Sequence, residues 1–244
     1  MLKTKKYNNE AASYPYVSAI IVAAGNSTRM GGVNKQFLLI DGVPVLIRTL
    51  KAFENSELIK EIIISAREED IPQMYAMLKD YCIKKVSNIV KGGCTRQESV
   101  FNAVKCCVTE SDYIAIHDGA RPLVSTETIE ETIFAAFNFE AAAPGIPVKD
   151  TIKVVDGDGI VVSTPARDSL RAIQTPQVFN KEMYLSAMQS VPNSELFTDD
   201  CGLIEAFGKP VEIVGGDNTN IKITTPEDLV IAEAIISKGE NDEF

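Results

Sequence analysis

Two kinds of hydrophobic pattern alternate along the N-terminal half of the chain. Four short runs rich in β-branched residues predict strands, at residues 17–24, 61–65, 85–90 and 112–117, and the first of them is expected to be buried. Four longer amphipathic stretches predict helices, at residues 44–53, 71–81, 95–108 and 125–139. Strands that alternate with helices at this spacing pair in parallel and are covered by helices on both faces. The pattern therefore predicts an α/β fold built on a doubly wound, mostly parallel sheet.

Capping residues mark the starts of several of these helices. Thr95 precedes its helix and Glu98 follows three residues later, which is a capping-box arrangement. Ser125 is placed to cap the next helix, and Pro44 is expected in a first helical turn. A last helix is predicted from Thr225-Pro226-Glu227-Asp228, which combines a cap, a proline and acidic residues that suit the helix dipole.

The strand–helix alternation stops after Pro147. Two apolar runs, 151–155 and 160–162, flank the turn sequence Asp156-Gly157-Asp158-Gly159, and together they predict a β-hairpin. Because the hairpin interrupts the alternation, we expect it to project from the main body as an arm. The remaining elements predicted are helices near 181–189 and 199–207, and strands at 211–214 and 221–223.

Size and charge narrow the class of protein. With 244 residues and 45% hydrophobic content, the chain can bury a substantial core. We expect one domain over residues 17–238, preceded by a flexible extension of residues 1–16. The net charge of −10 disfavours nucleic acid and anionic membrane surfaces as partners.

The cysteines and the short apolar runs indicate where the protein resides. The five cysteines form no Cys-x-x-Cys pair, and a single histidine leaves a zinc site short of ligands. The first apolar run is far too short to span a bilayer, and no secretion signal is visible. We therefore expect a reduced, cytoplasmic protein.

The first predicted strand leads into a loop of glycine and small residues, Ala23-Ala24-Gly25-Asn26-Ser27-Thr28-Arg29-Met30. In a doubly wound sheet, ligands bind beyond the carboxyl ends of the strands. Backbone N–H groups of such a loop can face a phosphate, and Arg29 and Lys35 would add charge and directional hydrogen bonds. The loop matches neither the P-loop motif nor the dinucleotide fingerprint. On spacing alone, a plain strand-to-helix turn with solvated basic residues remains the alternative.

A second polar segment, His117-Asp118-Gly119-Ala120-Arg121-Pro122, follows the fourth predicted strand at the same edge of the sheet. The carboxylate of Asp118 could hold Mg²⁺, which usually takes one or two carboxylates together with phosphate oxygens. The alternatives are a turn residue for Asp118 and a surface charge for Arg121. His117, next to an apolar strand, is expected to be structural.

Three further basic residues are candidates for anion binding: Lys222, Arg67 and Arg96. Lys222 lies in a short apolar run, where the pattern alone favours an ordinary outward-facing lysine. Its role therefore depends on evidence other than periodicity.

Several segments together resemble one enzyme family. Val22-Ala23-Ala24-Gly25, with Arg29-Met30 and Lys35-Gln36, resembles the opening signature of sugar-phosphate nucleotidyltransferases. The later segments narrow the resemblance: 117–122, Pro147-Val148-Lys149-Asp150-Thr151, Gln174-Thr175-Pro176-Gln177, Thr198-Asp199-Asp200 and 220–228. In this order they are similar to the 2-C-methyl-D-erythritol 4-phosphate cytidylyltransferase family of the non-mevalonate isoprenoid pathway. The resemblance runs from about Val17 to Ser237.

The resemblance implies a fold, a reaction and an assembly. The fold would be Rossmann-like, with a protruding β-arm at about residues 148–168. The reaction would transfer a cytidylyl group from CTP to 2-C-methyl-D-erythritol 4-phosphate and release pyrophosphate, with Mg²⁺ as the divalent cation. The assembly would be a homodimer in which the arm of one subunit contributes to the active site of the other.

The same resemblance assigns roles to individual residues. Three basic residues would stabilise the triphosphate: Arg29, Lys35 and Lys222. CTP would be bound by Ala23, Ala24, Gly25, Gly93, Ser99 and Asp118, and Asp118 would also hold the metal. The pocket for the sugar-alcohol phosphate would be lined by Arg121, Thr151, Arg167, Thr175 and Thr198, of which Thr151 and Arg167 would come from the partner chain.

Three positions depart from the family pattern: Ser27 in place of glycine, Asn34 in place of proline and Gly119 in place of alanine. None of these changes removes a charged group. Two other functions stay open at this point. One is a cytidylyltransferase for ribitol 5-phosphate, and the other is a nucleotide-binding regulator without catalytic activity.

Overall fold

The computed structural model describes residues 14–25, 34–192 and 197–241. The strands of this described part are β1 (Val17–Val22), β2 (Leu39–Ile40), β3 (Val43–Pro44), β4 (Ile59–Ala66), β5 (Val86–Lys91), β6 (Tyr113–Asp118), β7 (Ala141–Pro147), β8 (Val154–Val155), β9 (Val161–Ser163), β10 (Arg171–Ile173), β11 (Gln177–Asn180) and β12 (Glu212–Gly215). The α-helices are α1 (Val45–Asn55), α2 (Ile71–Asp80), α3 (Arg96–Val104), α4 (Thr126–Phe139), α5 (Lys181–Ser190), α6 (Asp200–Ala206) and α7 (Pro226–Asn241).

One eight-stranded sheet forms the centre of the molecule. Its strand order is β10-β7-β11-β6-β1-β4-β5, and β12 pairs with β7. The pairs β1–β4, β1–β6, β4–β5 and β7–β12 are parallel, whereas β10 and β11 run antiparallel to their neighbours. The predicted α/β fold with a largely parallel sheet is confirmed.

The hydrophobic core lies on both faces of this sheet. In β1, Ala19 and Ile21 pack into one cluster while Ile20 packs into the other, and all three are fully buried. Successive residues of a strand point to opposite faces, so a strand buried on both sides must be apolar at every position. This is why β1 appears in the sequence as an unbroken apolar run.

The register of the central strands brings several loops to one edge of the sheet. Val22 at the end of β1 lies opposite Asp118 at the end of β6, and opposite Ser65 near the end of β4. The loops that follow these parallel strands therefore open on the same edge, where ligands bind in sheets of this kind.

Most predicted elements appear within a few residues of their expected bounds. Two of the three predicted caps are confirmed: the Thr95 side chain accepts from the Glu98 N–H at 3.0 Å, and the Ser125 hydroxyl accepts from the Thr128 N–H at 3.1 Å. The hairpin is also present as the antiparallel pair β8–β9. Pro44 lies at the cap position of α1 and not inside its first turn.

Two features differ from the prediction. The segment 221–223 is not a strand: the Ile221 N–H donates to the Thr219 carbonyl two residues earlier, and the Ile223 N–H donates to the Ala120 carbonyl in the turn after β6. Strands β7, β10 and β11 carry no clear sequence signal, and the pattern does not predict them.

Of the helices in the described ranges, none is long and apolar enough to cross a membrane.

Candidate active site

Two adjoining cavities open at the carboxyl edge of the sheet. The first has a volume of about 270 Å³ and lies between the ends of β1 and β6 and the start of α3. The second, of about 370 Å³, is bounded by the segment that joins β10 to β11 and by the start of α6. Three residues line both cavities and so form a shared wall: Arg96, Asp118 and Lys222.

Small residues form one side of the first cavity. Ala24 and Gly25 after β1 line it together with Gly93 and Ser99. The Gly93 N–H donates to the Ser99 hydroxyl at 2.9 Å, which fixes this loop against the first turn of α3. Ala23 is buried behind the lining and donates its N–H to the Ser65 carbonyl at 2.7 Å.

The rest of the predicted glycine loop, including Ser27 and the predicted catalytic residue Arg29, lies outside the described residues. Of the six residues expected to bind CTP, five line the first cavity: Ala24, Gly25, Gly93, Ser99 and Asp118. The structure therefore brings most of this predicted set together.

Lys35 lies in a short 3-10 helix, Lys35–Phe37, and lines the first cavity. Its ammonium group donates to the Ile223 carbonyl at 2.9 Å. The preceding Asn34 caps this helix by accepting from the Gln36 N–H at 3.0 Å, and its amide donates to Asp70 at 2.7 Å. Asn34, which replaces the expected proline, thus anchors the turn that presents Lys35.

Lys222 and Asp118 form the closest ion pair on the shared wall, at 2.8 Å. The same carboxylate oxygen lies 3.4 Å from the Arg121 Nε, and the other carboxylate oxygen lies 3.9 Å from the Arg96 Nε. Burial would raise the pKa of Asp118, but the charges of Lys222, Arg96 and Arg121 outweigh it and hold that pKa well below its usual range. The carboxylate is therefore ionised and holds three cations in place.

The second cavity is lined by three of the residues predicted for the sugar-alcohol phosphate: Arg121, Thr175 and Thr198. The guanidinium of Arg121 donates to the Asn220 carbonyl at 2.7 Å. Asn220 in turn donates its side-chain amide to the Thr175 carbonyl at 2.9 Å. These bonds connect the segment containing Lys222 to the wall of the second cavity.

His117 lies beneath the site and links three of its members. The Asp118 N–H donates to the Thr175 hydroxyl at 3.2 Å, and that hydroxyl lies 2.9 Å from the His117 Nδ1. The His117 Nε2 lies 3.3 Å from the Arg121 carbonyl, which can only accept, so Nε2 carries the proton. Burial lowers the pKa of His117 to about 3, and the ring is therefore neutral. These contacts fit the expectation that His117 is structural.

The two remaining predicted residues, Thr151 and Arg167, line neither cavity. Both are exposed near the hairpin, and the Arg167 guanidinium donates to the Lys149 carbonyl at 3.1 Å. Within one chain they are therefore separate from the site.

Arg96 has a more central place than its sequence indicated. It lies at the first position of α3, and its guanidinium pairs with Asp200 at 2.6 Å and faces Asp118. Gln174 and Gln177 also line the second cavity. The motif at residues 174–177 indicates the two glutamines in the sequence. Arg96 has no such motif, because a basic residue directly after a helix cap is common in proteins of many functions.

Asp118 is the residue that could hold a divalent cation. No group of three or more acidic, histidine or cysteine ligands occurs in the described ranges. A single carboxylate suits Mg²⁺ when phosphate oxygens complete its coordination, as in many phosphate-transferring sites. The residues present therefore fit a metal bound together with a nucleotide, and not a metal held by the protein alone.

The cavities define a general class of chemistry. A wall with basic side chains, shared by two polar cavities, suits an enzyme that joins a nucleotide to a second phosphate-bearing substrate. Comparison with known sequences narrows this class. The sequence profile of the 2-C-methyl-D-erythritol 4-phosphate cytidylyltransferase family matches residues 17–238.

Individual relatives agree with this match. The chain is 50% identical over 225 residues to the 2-C-methyl-D-erythritol 4-phosphate cytidylyltransferase of Caldanaerobacter subterraneus subsp. tengcongensis, covering 91% of this chain and 99% of the relative. It is 44% identical over 219 residues to the enzyme of the same name from Bacillus anthracis, covering 89% of this chain and 96% of the relative.

Solved structures show the same similarity. The crystal structure of 4-diphosphocytidyl-2C-methyl-D-erythritol synthase from Anaerococcus prevotii superposes with a TM-score of 0.82 at 35% identity, covering 91% of this chain and 96% of that one. The cytidylyltransferase of Thermus thermophilus superposes with a TM-score of 0.71 at 30% identity, covering 90% and 98%. The chain belongs to the 2-C-methyl-D-erythritol 4-phosphate cytidylyltransferase family.

Proposed function

We propose that the protein transfers the cytidylyl group of CTP to 2-C-methyl-D-erythritol 4-phosphate and releases pyrophosphate. The observation that carries this proposal is the shared wall of Arg96, Asp118 and Lys222 between the two cavities. CTP would occupy the first cavity and the acceptor the second, so that the reacting phosphates meet at this wall.

The reaction needs charge stabilisation more than proton transfer. A phosphate oxygen of the acceptor attacks the α-phosphorus of CTP, a new P–O bond forms, and the bond to the leaving pyrophosphate breaks. The nucleophile is already an anion, so no general base is needed. The main obstacle is repulsion between two anions, which fixed cations and correct orientation overcome.

The basic residues have distinct parts in this scheme. Lys35 and Lys222 would bind the triphosphate and stabilise charge that develops at the α-phosphate, together with Arg29 from the glycine loop. Ala24, Gly25, Gly93 and Ser99 would hold the nucleoside. Ala23 would support that loop from behind, through its bond to Ser65.

Asp118 would have two parts. Its pair with Lys222 orients the ammonium group before substrate arrives. Its carboxylate would also hold Mg²⁺ together with phosphate oxygens, and the cation would offset charge on the triphosphate when bound. Arg121, Thr175 and Thr198 would line the acceptor pocket.

The arm supports a homodimer. Its apolar side chains are exposed, most of all Ile160 at 64% and Val162 at 65%. An apolar hairpin of this kind is stable when a second surface covers it. In such a dimer, Thr151 and Arg167 would reach the acceptor pocket of the partner. Val162→Asp should convert the dimer to a monomer in native mass spectrometry, and a dimer that is unaffected would contradict this role of the arm.

Two further proposals concern the whole chain. The eight-stranded sheet contains both the first strand, β1, and the last, β12, which supports a single domain over residues 17–238. The five cysteines are free thiols, which suits a reducing cytoplasm.

A pyrophosphate-release assay tests the function. With Mg²⁺ and CTP, we expect turnover with methylerythritol phosphate and little with ribitol 5-phosphate. Turnover with ribitol 5-phosphate alone, or with neither acceptor, would overturn the proposal. Lys222→Ala should lower kcat by about 10²–10³, the cost of removing one transition-state contact.

The exposed Lys209 supplies the control for this experiment, because it lines neither cavity and pairs at 3.7 Å with the exposed Glu140. Lys209→Ala should keep wild-type turnover. Near-full activity of both Lys35→Ala and Lys222→Ala would show that their assigned roles are wrong.

A further inference from the structure

The guanidinium of Arg96 is fixed from behind by a buried carboxylate. Its Nη1 donates to one oxygen of Asp200 at 2.6 Å, and the other oxygen accepts from the Tyr184 hydroxyl at 2.8 Å. Asp200 and Tyr184 are both completely buried. The Asp200 N–H is also bound, by the side-chain oxygen of Gln177 at 3.0 Å. One oriented guanidinium is therefore supported from α5, β11 and α6.

Burying the Arg96–Asp200 pair removes both charges from water, and this desolvation opposes the stability that the pair adds to the fold. A buried ion pair often contributes less to stability than well-packed apolar residues of the same size. Its distinctive effect is to hold the Arg96 side chain in one orientation. The pKa of Arg96 lies above its usual value because Asp200 and Asp118 outweigh the effect of burial, so the group is always a cation.

Most hydrogen-bond donors of Arg96 have no partner among the described residues. A guanidinium has five N–H groups, and within the described part of the chain its one hydrogen bond is to Asp200. Its Nε lies 3.9 Å from Asp118, beyond hydrogen-bond distance. The side chain is 24% exposed, and it lines both cavities. The unused donors are therefore accessible from the site.

Arg121, the other arginine that lines the second cavity, has more of its N–H groups engaged in bonds within the protein. Arg121 bonds to the Asn220 carbonyl at 2.7 Å and pairs with Asp118, and its side chain is only 12% exposed. In the first cavity, Lys35 and Lys222 already provide cations for the triphosphate. Among the described arginines that line the second cavity, Arg96 thus has the more N–H groups available, and a fork of this kind suits the oxygens of a phosphate monoester.

We infer that Arg96 binds the phosphate group of the acceptor substrate and holds it next to the nucleotide, and that Asp200 and Tyr184 are the residues that position Arg96. This inference rests on the proposed function. It assigns Arg96 to the attacking phosphate and not to the triphosphate, which can be tested by comparing the two substrates.

Steady-state kinetics separate these assignments. Arg96→Lys keeps the charge but loses the fork, and it should raise KM for methylerythritol phosphate by about ten- to hundredfold, the range that one or two charge-assisted hydrogen bonds carry. KM for CTP should change by less than about twofold. Tyr184→Phe, which removes only the hydroxyl, should shift the same KM in the same direction by a smaller factor.

A matched control and a rescue exclude a purely structural role. Arg48, like Arg96, pairs with an aspartate, but it lines neither cavity. Arg48→Lys should therefore leave both KM values unchanged. Free guanidinium should restore part of the activity of Arg96→Ala, because it can occupy the vacated position.

The possible failures are distinguishable. If the wild-type protein turns over neither acceptor, the proposed function is wrong. If the wild type is active but Arg96→Lys leaves KM for the acceptor unchanged, or raises KM for CTP by the same factor, the inference alone is overturned. CTP binding by calorimetry confirms that each variant is folded, and Tyr184→Phe remains a test if Arg96→Ala does not fold.

Discussion

His117 is the chain's single histidine, and its burial makes protein stability depend on pH between pH 7 and pH 5. The ring packs 4.9 Å from Phe53 and bonds to Thr175 and to the Arg121 carbonyl. A proton added to Nδ1 would turn this nitrogen from an acceptor into a donor, so that its bond with the Thr175 hydroxyl would have to reverse, and it would place a charge without water around it. The folded protein therefore resists protonation.

The size of the effect follows from two pKa values. Burial lowers the pKa of His117 from 6.5 to about 3 in the folded protein. The unfolded chain therefore binds the proton first as pH falls. The contribution of the neutral His117 ring to stability is therefore fully present above pH 6.5, and it is lost progressively as pH falls toward about 3. Between pH 7 and pH 5 this linkage should cost about 2 kcal/mol of unfolding free energy.

Urea unfolding at pH 7 and pH 5 measures this cost, with His117→Gln as the comparison. The variant should be less stable at pH 7, since it loses contacts with Phe53, but its stability should change far less between the two pH values. Two results would refute the reasoning. One is an equal loss of stability in both proteins, and the other is an imidazole that titrates near pH 6.5 by NMR in the folded wild type.

Three further changes test the site and its supports. In Gly92→Ala the new Cβ would lie 2.5 Å from the Ala24 Cβ, so KM for CTP should rise several-fold, while Gly215→Ala, with open space around it and no place in either cavity, should match the wild type in the same assay. Ser125→Ala removes the cap of α4 and should lower the free energy of unfolding by about 1 kcal/mol in a thermal experiment, whereas Ser125→Asp keeps a capping oxygen and should retain most of the wild-type stability. Asp118→Asn leaves cations unpaired and should cost about 2 kcal/mol in urea unfolding, less than a fully buried pair because Lys222 is 40% exposed.

The central parallel strands β1, β4 and β6 could be predicted because they are buried on both faces and therefore appear as apolar runs. Strand β7 could not, since its sequence is mainly alanine, proline and glycine. It is a strand because β10 and β11 pair with it in antiparallel and β12 in parallel. Pairing partners far along the chain, and not local propensity, determine this element.

The site shows the same division between local and distant information. The sequence pattern puts Lys222 in a predicted strand, yet it lies in an irregular segment whose position depends on a bond from Arg121 to the Asn220 carbonyl. In the sequence Arg96 is one of several basic residues, because its partner Asp200 lies 104 positions further along the chain. Motifs identified the residue types that the chemistry needs, but only the fold shows which of them share a wall.

The arrangement of charge explains how an acidic chain can bind a triphosphate. Within the described residues, four basic side chains line the two cavities, Lys35, Arg96, Arg121 and Lys222, against two carboxylates, Asp118 and Asp199. The local surplus is positive although the whole chain carries a net charge of −10. Asp118 lowers the repulsion among three of these cations while the site is empty, so that they are already in position when phosphate arrives. Such preorganisation avoids the reorganisation that free cations in water would require, and it is the term on which this type of catalysis most depends.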